Sequence, residues 1–152
     1  MPPEICILIV DDNRGDALLL TRALKGAFAD ASIDAATSGE QALERLRCEA
    51  EFAGQPLPAL VLLDCRLPRL SGFQVLEAVR TDASLNDVRI VLMSGVVTPE
   101  HLDDGHNRGA DGHLQKPETM SDFDALAQAL AGFVRGQSSA PFRFPAGLPY
   151  CF

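Results

Sequence analysis

Short aliphatic runs recur along this chain, and each closes on a polar side chain. ICILIV runs into Asp11-Asp12, LVLL into Asp64, IVLM into Ser94, and the brief GHLQ segment into Lys116-Pro117. Continuous apolar runs of this length, rich in β-branched residues, are what strands buried on both faces require. Between them lie stretches of helical period. Residues 14–28 place Ala17, Leu18, Leu20, Leu24 and Phe28 near helical spacing, with Asn13 as an N-cap. Five such alternations predict one α/β domain: a parallel sheet, helices on both faces and right-handed crossovers.

The remaining elements follow from the same signals. Strands are expected at 5–10, 32–36, 59–63, 89–93 and 112–115, the second weak because it is alanine-rich. Helices are expected from Ser38-Gly39 to about Glu51, over about 72–81, over about 99–108 and over 121–135. Ala42, Leu43 and Leu46 form the inward face of the second. Thr98-Pro99 supplies a cap and a first-turn proline for the fourth. Ser121 and Asp124 have the spacing of a capping box for the last. The receptive end of an open parallel sheet is the carboxyl end of its strands. Asp11, Asp12, Asp64, Ser94 and Lys116 all fall there.

Carboxylates crowded in this way need compensation. Two like charges about 4 Å apart repel by about 4 kcal/mol at an effective dielectric near 20. A cation relieves that cost, or else one carboxyl keeps its proton. An all-oxygen set suits Mg²⁺, which retains water and shares its ligation with phosphate oxygens. Asp64, in mid-sheet, can attack phosphorus as a carboxylate nucleophile. Lys116 offers a point charge to a phosphoryl oxygen, and Ser94 a hydroxyl donor. Taken singly, each residue also reads as an ordinary helix start, turn or exposed loop; their joint placement at strand ends carries the reading.

From Ile5 to about Val134 the chain resembles the receiver domain of two-component response regulators. The matching pieces are Val10-Asp11-Asp12-Asn13, Leu63-Asp64 followed by Leu67-Pro68 and Gly72, Met93-Ser94-Gly95, Gly109-Ala110-Asp111 and Lys116-Pro117. The resemblance implies a flavodoxin-like (βα)5 sheet of order 2-1-3-4-5. It implies Asp64 as the acceptor of a phosphoryl group from a sensor histidine kinase, and a signalling protein rather than an enzyme. Asp12 would bind Mg²⁺ directly, Asp11 mainly through water, and the Arg66 backbone carbonyl would complete the site. Ser94 and Lys116 would be the switch hydroxyl and the phosphate-binding lysine. The long loop before strand three and the want of a DNA-binding segment resemble the stand-alone regulators that partner bacterial phytochromes. His113 departs from the family, which carries Tyr or Phe there. An imidazole titrates near neutrality, so His113 either alters the switch or merely caps a short strand in solvent. Gly95 stands where Ala is commoner and loosens the loop after Ser94.

Other functions share part of this pattern. A haloacid-dehalogenase-type phosphohydrolase also uses Asp, Ser or Thr, Lys and an acidic pair. It places a second Asp two residues after its nucleophile, where this chain has Arg66. A regulator that only drains phosphate from a kinase, and a receiver that only binds partners, are further alternatives. The net charge of −8 and a chain with only Lys25 and Lys116 as lysines speak against direct binding of nucleic acid or of anionic membrane. No apolar run reaches the ~18 residues of a membrane span, no signal peptide is evident, and the ending Pro-Tyr-Cys-Phe is not a prenylation box. Cys6, Cys48, Cys65 and Cys151 form no CxxC pair and read as reduced thiols of a cytoplasmic protein. Residues 1–136 are expected to form the receiver domain and 137–152 a linker with an apolar arm. That arm holds Phe142, Phe144, Leu148, Tyr150 and Phe152, stiffened by prolines at 141, 145 and 149. Such apolar area is rarely left uncovered, which predicts a homodimer in which the arm docks on a second copy, with folding back onto the last helix as the alternative.

Overall fold

The computed structural model describes residues 5–49 and 53–136, leaving aside the side chains of 133, 135 and 136. The five arm residues and the linker lie outside the described residues. Five strands, β1 Ile5–Val10, β2 Ala31–Ala36, β3 Leu60–Asp64, β4 Arg89–Ser94 and β5 Gly112–Gln115, form one sheet in the order β2-β1-β3-β4-β5. Every pairing is parallel. Five helices alternate with them: α1 Arg14–Ala27, α2 Gly39–Leu46, α3 Gly72–Arg80, α4 Pro99–Asn107 and α5 Met120–Gly136. This is the expected topology, and the direction of strand succession switches between β1 and β3, which opens a crevice above the strand ends.

The strands' period of two divides the core into two layers. Ile7, Ile9, Leu60, Leu62, Val91 and Met93 face α1 and α5, meeting Leu20, Leu24, Phe28, Phe123, Leu126 and Leu130. Leu8, Val10, Val61, Leu63, Ile90 and Leu92 face α2 and α3, meeting Ala42, Leu46, Val75, Leu76 and Val79. Burying one such side chain contributes roughly 1.5–3 kcal/mol, so the central strands fix their register tightly.

Three local expectations need correction. Helix α2 stops at Leu46, not near Glu51. Cys48 adopts φ 55°, and the amides of Glu49 and Cys48 turn back to the carbonyls of Glu44 and Arg45, at 2.9 and 3.2 Å. This is a left-handed helix stop of the Schellman type, closed by cysteine where glycine is usual. Helix α5 is capped by Thr119, not Ser121: its Oγ1 accepts the Asp122 amide at 3.1 Å. The serine-to-acid pattern occurs two residues earlier as Thr119 and Asp122, and the turn forced by Pro117 selects that register. Leu18 points outward and is 52 % exposed, because the buried line of α1 runs through Ala17, Leu20 and Leu24.

Candidate functional site

The two buried acidic side chains, Asp11 and Asp64, are each aimed by the local backbone. Asp11 follows β1, where its amide extends the sheet to the Ala36 carbonyl at 3.0 Å. Its Oδ1 accepts the Asn13 amide at 2.9 Å, while the Asn13 side chain caps α1 through the Asp16 amide at 3.1 Å. The turn from strand to helix thus pins the carboxylate. Asp64 repeats the device at the end of β3, with Oδ1 accepting the Arg66 amide at 2.9 Å. Asp11 and Asp64 are buried and Asp12 is exposed; carboxylate oxygens of the three lie within 4.8 Å of one another.

Lys116 reaches into this cluster from the end of β5. Its backbone amide bonds to the Ser94 carbonyl at 2.8 Å, which fixes the side chain's origin. The ammonium nitrogen donates to Asp64 Oδ2 at 2.8 Å and Asp11 Oδ2 at 2.9 Å, with Asp16 Oδ2 at 3.6 Å. Burial opposes the lysine's charge, yet the bonds to Asp64 and Asp11 outweigh it and hold its pKa above the ordinary value. Asp64 shows the converse balance. Burial raises its pKa, with the nearby Asp11 charge adding, and the Lys116 ammonium and Arg66 amide recover only part. One amine does not neutralise the set, so a site remains for further positive charge. The donor set, three carboxylates with the Arg66 backbone close by, is that of a hard divalent cation.

A cleft of about 610 Å³ opens above these groups, lined by Asp12, Asn13, Asp64, Arg66, Gly95, Val96 and Lys116. Its floor depends on Gly72. A Cβ there would lie 2.2 Å from the Asp64 carbonyl oxygen and 2.8 Å from Cys65 Cα, so only glycine allows α3 to start against the loop that carries Asp64.

Ser94 and His113 form a second, drier feature beside the cleft. Ser94 Oγ lies 2.8 Å from His113 Nε2, and Cys65 Sγ lies 3.8 Å from the same nitrogen. His113 is fully buried, which overturns the reading of a strand cap in solvent: β5 is interior at this position and α4 covers it. The His101 ring of α4 stacks at 6.5 Å between centroids. Burial lowers the His113 pKa, the His101 backbone acts against it, and the His101 charge lowers it further. Burial likewise pushes the Cys65 thiol up to about 11, leaving it an unreactive hydrophobe.

The structure therefore brings together Asp11, Asp12, Asp64 and Lys116, sets Ser94 beside them against His113, and places Arg66 at the cleft. Sequence reasoning missed Asp16, the third carboxylate on Lys116; its position in the first turn of α1, beside the strand-end pair, was the available signal. It also missed Arg45, whose buried guanidinium bonds Asp34 Oδ2 at 3.1 Å, Cys6 Sγ at 3.3 Å and the Pro56 carbonyl at 2.7 Å. Among the described residues no helix is long and apolar enough to cross a membrane.

Known proteins are similar to this chain in sequence and in fold. Residues 7–129 match the response regulator receiver domain family. Response regulator Rcp1 of Synechocystis sp. is 25% identical over 132 residues, covering 87% of this chain and 89% of Rcp1. Its Mn²⁺-bound crystal structure superposes with a TM-score of 0.77 over 95% of this chain and 100% of that one, at 24% identity. Response regulator RPA3017, described in red light signaling of R. palustris, is 26% identical with a TM-score of 0.78, covering 93% of this chain and 99% of its own. The phosphorylated cyanobacterial phytochrome response regulator RcpA gives a TM-score of 0.82 at 24% identity, over 91% of this chain and 99% of that one. At 24% identity the likeness speaks for the fold alone. With the family match spanning most of its length and the acidic pocket in place, the chain belongs to the response regulator receiver domain family.

Proposed function

We propose that Asp64 is the phosphoacceptor of this receiver and that its phosphorylation requires Mg²⁺. The observation that carries this is the convergence of Asp11, Asp12 and Asp64 oxygens within 4.8 Å, with the Lys116 ammonium 2.8 Å from Asp64. A carboxylate oxygen of Asp64 forms the new bond to phosphorus as the phosphorus–nitrogen bond of a donor phosphohistidine breaks, and the freed imidazole takes up a proton. Asp11, Asp12, Asp64 and the Arg66 carbonyl would hold the cation. Bound there, Mg²⁺ would offset negative charge building on the transferring group. Lys116 shifts from Asp64 to a phosphoryl oxygen, keeping its charge throughout because its pKa is held high. Family membership supports a signalling role over the phosphohydrolase reading, with chemistry at the site limited to accepting and losing the phosphoryl group.

Acetyl phosphate with Mg²⁺ should add one phosphoryl group to the protein. Asp64→Asn should abolish the addition, as should excess chelator. Labelling that survives either treatment removes Asp64 from the role.

Finer features rest on the relatives and on the sequence. Rcp1-like and RcpA-like regulators support a sensor histidine kinase of the phytochrome class as donor, in the cytoplasm, testable by a phosphotransfer profile against candidate kinases. The apolar segment 140–152 supports a homodimer held by that arm. Deleting residues 138–152 should convert dimer to monomer in light scattering while Asp64 labelling persists.

A further inference from the structure

We propose that His113 is a positioning residue that restrains Ser94: in the resting protein its Nε2 accepts the Ser94 hydroxyl proton, and that bond must break before Ser94 can serve a phosphoryl group. The inference rests on reading Asp64 as the phosphoacceptor.

Ser94 Oγ and His113 Nε2 are 2.8 Å apart and the pair is buried, Ser94 at 9 % exposure and His113 at 0 %. Water cannot readily replace either partner in so dry a place. A serine hydroxyl has a single hydrogen to donate. If that hydrogen lies on imidazole, none remains for a phosphoryl oxygen, and the two acceptors compete for it. Ser94 ends β4 and is absent from the residues lining the cleft, so serving the phosphoryl group demands movement as well as a change of partner. The following residue allows it. A Cβ on Gly95 would meet nothing within 4 Å, and Val96 beyond it is 66 % exposed.

The ring's surroundings keep it in the accepting form. It is packed between Ser94 of β4, Cys65 after β3 and His101 of α4. Asp104 of α4, Asp64 and Lys116 are the charged groups that bear on the adjoining Cys65. Burial favours the neutral ring, and the nitrogen it turns to Ser94 is Nε2. Side-chain bonds of this kind are worth about a five-fold change in an equilibrium.

Ring ¹⁵N spectra of the intact protein test this directly. At rest, His113 Nε2 should show the shift of a hydrogen-bonded acceptor, and Ser94→Ala should remove it. Beryllofluoride with Mg²⁺, used as a phosphoryl mimic, should move the wild-type Nε2 signal to the position seen in Ser94→Ala. His113→Phe should bind beryllofluoride about five-fold tighter than wild type, and His113→Gln, which restores an acceptor, should return toward wild type. An Nε2 that carries a proton at rest, or a signal unmoved when beryllofluoride binds, overturns the restraint. So does wild-type binding by His113→Phe with the Gln variant indistinguishable. Failure of acetyl phosphate to label wild-type Asp64 is a separate result, which removes the phosphoacceptor reading and the restraint with it.

Discussion

Gly72 shows how narrowly single residues set this site. An added methyl would enter the Asp64 carbonyl oxygen at 2.2 Å, a backbone atom that cannot swing aside. Gly72→Ala should destabilise the fold by about 1–3 kcal/mol in urea unfolding, and acetyl phosphate labelling should slow as Asp64 is displaced. Lys116 makes a different demand. Its ammonium bridges Asp11 and Asp64 at rest, so it can report the arrival of a phosphoryl group by changing partner. Lys116→Ala should still label at Asp64 yet lose the phosphorylation-dependent spectral change around Ser94. If the change survives, the readout runs through other residues. These roles were legible in the sequence because each residue ends an apolar run, and strand ends converge whatever else the chain does. The restraint on Ser94 was not. His113 stands alone in GHLQ with no periodic signal, and only the cover supplied by α4 makes it interior.

At the scale of elements, strand order and helix number follow from alternation of apolar runs, while helix ends do not. The stop of α2 is the clear case. Nothing near Arg47-Cys48-Glu49 carries glycine, the usual sign of a left-handed stop, so helical period runs on past the true end. Yet Cys48 takes φ 55° and closes the stop with two backbone bonds. A left-handed residue with a Cβ costs roughly 1 kcal/mol, so Cys48→Gly should stabilise the protein by up to about 1 kcal/mol in denaturant unfolding. No change, or a loss, would mean that the thiol's contact with the Gln55 carbonyl at 3.6 Å offsets the strain. The edge strand β2 illustrates a second gap. Its alanines make a weak strand, and a buried arginine from α2 compensates by joining Asp34 of β2 to the loop before β3. Asp34→Ala strands that guanidinium and should cost about 1–3 kcal/mol. An arginine in an exposed-looking helix gives no hint of this before folding.

For the whole molecule, the site is a stability cost that a cation relieves. The chain carries 21 acidic against 13 basic residues, and two of the acids are buried together at the head of the sheet. Asp64 has its pKa raised by burial above the ordinary 3.8, so the folded state binds more protons than the unfolded one just above that pH. Its contribution is therefore fully present below 3.8 and is lost as pH rises through the raised value. His113 works in the opposite sense. Burial lowers its pKa from 6.5, so the unfolded state binds more protons there, and its contribution, present above 6.5, is lost as pH falls through the lowered value. Near neutral pH, without divalent cations, Asp64→Asn should then melt at a higher temperature than wild type. Mg²⁺ at a hundred times its dissociation constant should stabilise the wild type by about 2.7 kcal/mol, and should stabilise Asp64→Asn less. His113→Phe should show a flatter loss of stability than wild type as pH falls from 6.5. Thermal melts over pH 4–8, about that range being wide enough to separate the two groups, check all three. A variant melting below wild type in the absence of Mg²⁺ would show that the Lys116 ion pair outweighs the burial of Asp64, and that the resting fold needs the carboxylate for its own stability.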